Sequence, residues 1–278
     1  MKRVTDMNKI LEEIEKIGIV PVVVIDSAED AVPLAKALCE GGLPAAEITF
    51  RTAAAAESIK RIREACPEMI VGAGTVLTCE QADAAIAAGS QFIVSPGLNP
   101  AVVKHVLDKG VPMLPGCANP SDIEAALSLG LTEVKFFPAE QIGGLKAIKA
   151  MAAPYGAVRF MPTGGLNAAN MGAYLADKKI IACGGSFMVA KDVIARHDWD
   201  KIKKDTEKAV SLMLGMTFKG LVQSGGRTFT EMQSSNIKRA VYHLERRGVK
   251  FDTASAVYLG DDIVSIDAAE AGIRLTAH

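Results

Sequence analysis

Two charged residues stand inside apolar runs. Lys135 lies in Val134-Lys135-Phe136-Phe137, and Glu47 lies in Ala45-Ala46-Glu47-Ile48-Thr49. A lysine is almost never buried without a partner or a task. Apolar surroundings favour its neutral amine, and a neutral amine can add to a ketone to form a Schiff base. The resulting iminium withdraws electrons from the neighbouring carbon. A partly desolvated carboxylate can move protons, which carbinolamine dehydration and enamine formation both require. Residue type alone leaves a second reading open, in which Lys135 reaches solvent along its stem and pairs structurally with Glu47.

Other polar residues follow strand-like runs. Glu47, Thr49 and Arg51 share one face at the period of two that a strand imposes. Arg51 offers a fork for a carboxylate, or a surface salt bridge. Thr75 supplies a hydroxyl, or a cap or turn. It follows Gly72-Ala73-Gly74, which reads as a strand-end turn and fails the dinucleotide-binding pattern. Ser95-Pro96-Gly97 is a further turn after an apolar run. Thr163-Gly164-Gly165 and Gly184-Gly185-Ser186 each precede a helical pattern. Glycines let the backbone approach an anion, and helix N-termini present amides to it; simple tight turns are the competing explanation.

The elements that must position these residues are short apolar runs alternating with Ala-rich helical patterns. The strand candidates are 19–25, 45–50, 70–76, 92–95, 111–114, 133–137, 157–161 and 180–183, with starts 19 to 26 residues apart. Strands joined by helical crossovers form a parallel sheet. Eight at so regular a period predict a closed (β/α)8 TIM barrel, with a doubly wound open sheet as the alternative. In such a barrel ligands bind at the C-terminal strand ends, where the residues above fall. Asp26-Ser27, Thr52, Thr78, Asn99, Ser121 and Asn167 are candidate helix caps. A last helix around 199–213 closes the barrel.

After Gly220 the character changes. The expectation is a barrel domain over 1–220 and a small α+β appendage over 221–278, joined by a linker at Gln223-Ser224-Gly225-Gly226. The appendage shows one helical pattern, 235–247, and strand-like runs near 249–252, 256–259 and 263–266.

Composition excludes several classes. Of 278 residues, 31 are Lys or Arg and 32 are Asp or Glu, for a net charge of −1. No field of one sign draws the chain to nucleic acid or an anionic membrane, and with 5% aromatic residues stacking surfaces for bases are scarce. No apolar run approaches the roughly 18 residues of a membrane-spanning helix. The charged N-terminus reads as a first amphipathic helix rather than a signal peptide. Five scattered cysteines form no Cys-x-x-Cys pair and read as cytoplasmic thiols. His105, His197 and His243 stand singly on helical patterns, as surface or cap residues, without metal-ligand spacing.

Residues from about 8 to 214 closely resemble the 2-keto-3-deoxy-6-phosphogluconate (KDPG) aldolases, members of which often also act on 4-hydroxy-2-oxoglutarate (KHG). Seven ordered blocks carry the likeness: 18–26 (GIVPVVVID), 47–52 (EITFRT), 71–77 (VGAGTVL), 92–100 (FIVSPGLNP), 134–140 (VKFFPAE), 159–167 (RFMPTGGLN) and 183–189 (CGGSFMV). The resemblance implies a class I aldolase that needs no metal or other cofactor, built as a homotrimeric barrel and serving the Entner–Doudoroff pathway. On that likeness Lys135 is the Schiff-base lysine and Glu47 the proton shuttle. Arg51 and Thr75 hold the pyruvate carboxylate beside Pro96. Thr163 touches the aldehyde-side hydroxyls, and Gly164, Gly165, Gly185 and Ser186 bind phosphate. Phe187 and Gly116-Cys117-Ala118-Asn119 depart from the family's usual residues, which bears on substrate preference more than on chemistry. A 6-phosphogalactonate aldolase, a phosphosugar isomerase or epimerase, and an inactive scaffold are the competing readings.

The appendage resembles one βαβββ module of the glyoxalase/vicinal-oxygen-chelate fold, through 236–252 (NIKRAVYHLERRGVKFD) and the following VYLGDDIVSI. That fold builds its site from paired modules, so a single one implies a structural or assembly remnant. Glu231 and His278 are its loose candidates for metal ligands, and no metal site is expected there.

Overall fold

The computed structural model describes residues 2–277. They divide into two compact units, Met1–Val210 and Ser211–His278.

The first unit alternates strands and helices. After helix α1 (Lys2–Ile17), eight strands follow: β1 (Ile19–Val23), β2 (Ala45–Thr49), β3 (Ile70–Gly74), β4 (Phe92–Val94), β5 (Met113–Leu114), β6 (Glu133–Phe136), β7 (Arg159–Pro162) and β8 (Cys183–Gly185). Between them run α2 (Ala31–Glu40), α3 (Ala55–Ala65), α4 (Cys79–Ala87), α5 (Pro100–Asp108), α6 (Pro120–Ser128), α7 (Gly144–Ala152) and α8 (Met171–Leu175); α9 (Lys191–Ala195) follows β8, and α10 (Trp199–Leu214) closes the series.

Six strands form one parallel sheet in the order β5-β4-β3-β2-β1-β8, and β6 pairs with β7. Single parallel bridges close the ring. Gly116 pairs with Lys135, and Phe160 and Thr163 pair with Ile180 and Gly184. The result is the expected closed barrel. Every residue of β2 and β3 is buried, as it must be for strands covered on both faces. Fully buried Ile19, Val20, Val23, Ile48, Val71, Ile93 and Phe160 make much of the core.

The helices start where short polar side chains replace the first backbone acceptors. Thr78 accepts from the Gln81 amide, and Asn99 from the Ala101 amide with Pro100 in the first turn. Three expected caps act otherwise. The cap of α6 is Asn119, not Ser121, because Pro120 occupies the first helical position, where its missing N–H costs nothing. Thr52 instead donates to the Ile25 carbonyl, and Asn167 accepts from Ala169 inside a turn that precedes α8.

The second unit holds β9 (Thr217–Ser224), β10 (Arg227–Ser234), α11 (Ile237–Glu245), β11 (Asp252–Leu259), β12 (Asp262–Ala268) and β13 (Ile273–Ala277), in one sheet of order β11-β12-β13-β10-β9. From β10 onward the element order is βαβββ. Phe229, Ile237, Ala240, Ile266, Ala268 and Leu275 are buried in it.

The expected linker is a hairpin turn. Ser224 pairs with Arg227, and Gly225 and Gly226 between them have φ of 56° and 74°. Two successive left-handed residues match the twist of a two-residue hairpin, which glycine alone adopts freely. The boundary expected at 220/221 therefore falls inside β9. His243 is buried rather than on the surface, and His278 lies outside the described residues.

Candidate active site

Glu47 and Lys135 come from strands on opposite parts of the ring. Both are nearly excluded from water, at 1% and 5% exposure, and Lys135 Nζ lies 3.4 Å from Glu47 Oε1. The amine also stands 5.3 Å from the centre of the Phe137 ring. The second carboxylate oxygen, Glu47 Oε2, is buried without a hydrogen-bond partner in the chain, and so is Thr163 Oγ1. Burying polar atoms unpaired costs about 1–3 kcal/mol each. Such acceptors are what a bound polar ligand would satisfy.

Glycines make the space for this pair. A side-chain carbon on Gly74 would land on Glu47 Oε1, one on Gly72 would enter the Phe92 ring, and one on Gly184 would strike Thr163 Oγ1. Gly72-Ala73-Gly74 is therefore part of β3, not the expected turn. Likewise Gly184 and Gly185 belong to β8 rather than to a loop after it. A glycine inside a strand pattern signals close approach, and that signal was available in the sequence.

Arg51 and Thr75 meet beyond their strands. Arg51 lies past the end of β2, in a turn, so the period of two does not carry to it. Its Nε donates to Thr75 Oγ1 over 3.2 Å. Thr75 sits at φ 57°, a left-handed conformation uncommon for a branched residue and frequent at functional sites. Thr49 is not available to a ligand: its hydroxyl donates to the Val23 carbonyl, 2.8 Å away, with the side chain fully buried. Pro96 follows β4, and its carbonyl is pressed against Gly116, the residue bridged to Lys135.

Thr163, Gly164 and Gly165 form one turn after β7. The Ala139 and Glu140 amides donate to the Thr163 and Gly164 carbonyls over 2.8 and 3.1 Å. Gly185 ends β8, and Ser186 stands exposed just beyond it, its carbonyl accepting from the Val189 amide. Glu47 and Lys135 thus lie inside their strands, and the other candidate residues lie at the C-terminal strand ends or just beyond them.

Residues 10–205 match the family model of KDPG and KHG aldolase. The chain belongs to this family. It is 49% identical over 207 residues to the 2-dehydro-3-deoxy-phosphogluconate aldolase of Treponema pallidum, covering 74% of this chain and 99% of that one. It is 44% identical over 192 residues to the KHG/KDPG aldolase of Escherichia coli K12, covering 69% and 90%. Among solved structures, the KDPG aldolase of Legionella pneumophila, crystallised with pyruvate captured as a covalent carbinolamine, superposes with a TM-score of 0.69 at 34% identity, covering 72% of this chain and 97% of that one. The family model stops before the second unit, and the family likeness read from the sequence ends within its first few residues.

Elsewhere, Glu231 accepts from Thr276 Oγ1 over 3.1 Å. Among the described residues no three His, Cys, Asp or Glu side chains gather as a metal site. No helix of the described residues is long and apolar enough to cross a membrane.

Proposed function

We propose that the chain is a class I aldolase that cleaves KDPG to pyruvate and glyceraldehyde 3-phosphate, and KHG to pyruvate and glyoxylate. Lys135 is its Schiff-base amine and Glu47 its proton carrier. The observation that carries this reading is the buried approach of Glu47 Oε1 to Lys135 Nζ, 3.4 Å apart inside a closed barrel. Membership of an aldolase family supports it.

In this reading the amine adds to the C2 ketone, and loss of water leaves an iminium. Glu47 supplies and removes protons, its free Oε2 being the oxygen not engaged with the lysine. Removal of the C4-hydroxyl proton lets the C3–C4 bond break. Its electron pair moves into the iminium, and the aldehyde departs. The enamine takes a proton at C3, and water releases pyruvate and the amine. Arg51 and Thr75, held together, receive the pyruvate carboxylate next to Pro96. Thr163 faces the aldehyde-side hydroxyls. Gly164, Gly165, Gly185 and Ser186 receive the phosphate of KDPG.

The working form is a homotrimer in the cytoplasm. All five cysteines are outside disulfides, which fits a reducing compartment.

Trapping tests the mechanism. Treatment with pyruvate and borohydride should add one reduced pyruvyl group to Lys135, read by peptide mass spectrometry, and abolish turnover. An adduct on another residue, or full activity in Lys135→Ala, would overturn the assignment.

A further inference from the structure

The turn that follows β7 is held from outside by two side chains that no catalytic role uses. Tyr174, on α8 and 2% exposed, donates its hydroxyl to Glu140 Oε1. Glu140 follows β6 by four residues, in the 3-10 turn Glu140–Ile142. The Gly164-Gly165 turn lies against this segment. A carbon added at Gly165 would stand 2.6 Å from Glu140 Cβ and 2.8 Å from its Cγ, and one added at Gly164 would press on Pro138 and the Ala139 nitrogen. A carbon at Gly144, in the first turn of α7, would meet the Tyr174 hydroxyl at 2.7 Å. The Tyr174–Glu140 bond is thus enclosed by backbone on two sides.

The carbonyls of the turn are all engaged by the chain itself. Ala139 N–H takes the Thr163 oxygen, Glu140 N–H takes the Gly164 oxygen over 3.1 Å, and Asn170 Nδ2 donates to the Gly165 oxygen over 3.2 Å. In a planar trans peptide the N–H points opposite to the carbonyl. The first two of these bonds therefore turn the next amides, on Gly164 and Gly165, away from the 138–140 segment, and the third turns the Leu166 amide away from Asn170. The direction of the Gly165 amide depends on where Glu140 sits, and that of the Gly164 amide on its neighbour Ala139; Glu140 is otherwise an exposed residue of a one-turn helix. Burial, and after it the Glu140 carboxylate, push the Tyr174 phenol well above its usual range, which keeps it a donor.

We infer that Glu140 and Tyr174 form a clasp that positions the Thr163–Gly165 turn for the substrate's phosphate. Both are positioning residues, acting through backbone amides rather than by touching the substrate. The inference rests on the proposed phosphate role of that turn, and KHG, which has no phosphate, separates the two ideas.

The test compares full-length wild type, Tyr174→Phe and Glu140→Gln, each checked for an intact unfolding transition. Tyr174→Phe removes only the donor. It should raise KM for KDPG about tenfold and raise the inhibition constant of inorganic phosphate by a similar factor, while kcat for KDPG and kcat/KM for KHG stay within about twofold. Glu140→Gln keeps an acceptor oxygen and the packing against Gly165, so it should retain most of the KDPG affinity. Glu140→Ala should lose it. Equal losses on KDPG and KHG in Tyr174→Phe, or no change on either, would overturn the clasp. If instead inorganic phosphate fails to compete with KDPG in the wild type, the phosphate role of the turn itself is wrong, and the clasp falls with it.

Discussion

Lys135 Nζ lies 3.4 Å from Glu47 Oε1 because Gly74, two residues along the neighbouring strand from Glu47's own partner Gly72, has no side chain. The carboxylate occupies the space that any Cβ at Gly74 would fill. The two charges belong to strands far apart in the chain, and both are desolvated. An uncompensated buried charge costs several kcal/mol, so each holds the other in place.

Gly74→Ala should therefore act as a Glu47 variant without touching Glu47. The added methyl must displace the carboxylate. Turnover of both KDPG and KHG should fall about 10²-fold or more, the scale of a lost general acid–base group. Gly156→Ala, where an added carbon meets nothing within 4 Å, should keep activity within about twofold. Steady-state kinetics on the two variants decide it. Wild-type rates in Gly74→Ala would mean that the carboxylate's position is immaterial.

Ser186 stands exposed just past β8, beside Gly185. A carboxylate there would repel the substrate's phosphate. Ser186→Asp should lower kcat/KM for KDPG by at least tenfold more than for KHG. Equal losses on the two substrates would remove Ser186 from the phosphate site.

Cys117 is buried next to the strand that carries Lys135, and its amide donates to the Lys135 carbonyl over 2.8 Å. Burial, and to a lesser extent Asp122, push its thiol from an ordinary value of 9.0 up to about 12. Only the thiolate alkylates. At pH 8 Cys117 is therefore almost wholly protonated, whereas about one in ten thiols at the ordinary value is ionised. The sign is that of a raised acid: the neutral thiol favours the folded state fully below about pH 9, and this contribution is lost as pH rises towards 12. Iodoacetamide at pH 8 should label half-exposed Cys79 in the native protein and spare Cys117, which should label after denaturation in urea. Peptide mass spectrometry reads both. Equal native labelling of the two would contradict the burial.

The barrel was legible because its strands are apolar runs at a steady period. All eight lie within a few residues of their expected places. The eighth shows what hides from that reading. The apolar run at Ile180–Ala182 is buried yet precedes the strand, and Gly184-Gly185, which look like a turn, are the strand itself, kept small by Thr163. Glu47 and Lys135 stood out as charges in apolar surroundings. The Arg51–Thr75 contact did not, since it depends on a left-handed Thr75 that no residue pattern announces. In the second unit the helix and parts of β11 and β12 were legible, while β9, β10 and β13 did not stand out as separate runs. Strand β9 and the start of β11 are exposed along most of their length, so they have no apolar alternation and are held by backbone pairing with their neighbours. The Gly225-Gly226 pair was nevertheless a hairpin signal.

Every residue proposed for the site lies in the first unit, Met1–Val210. Barrel chemistry comes from the strand ends, and no strand of the second unit belongs to the barrel sheet. A chain ending at Gly215, after α10 and before β9, should keep Lys135-dependent cleavage of KDPG within about tenfold of the full-length rate, roughly 1.4 kcal/mol in the barrier. Ending the chain at 220 would leave half of β9 without β10 and invite aggregation through an unpaired strand. The second unit exposes Phe218, Leu221, Val257, Tyr258 and Leu259, an unusual density of large apolar side chains for so small a unit. Its removal should therefore improve solubility rather than turnover. Kinetics with sedimentation velocity on both chains provide the measurement. A shortened protein that is folded and trimeric but has lost nearly all activity would place part of the active site in the second unit.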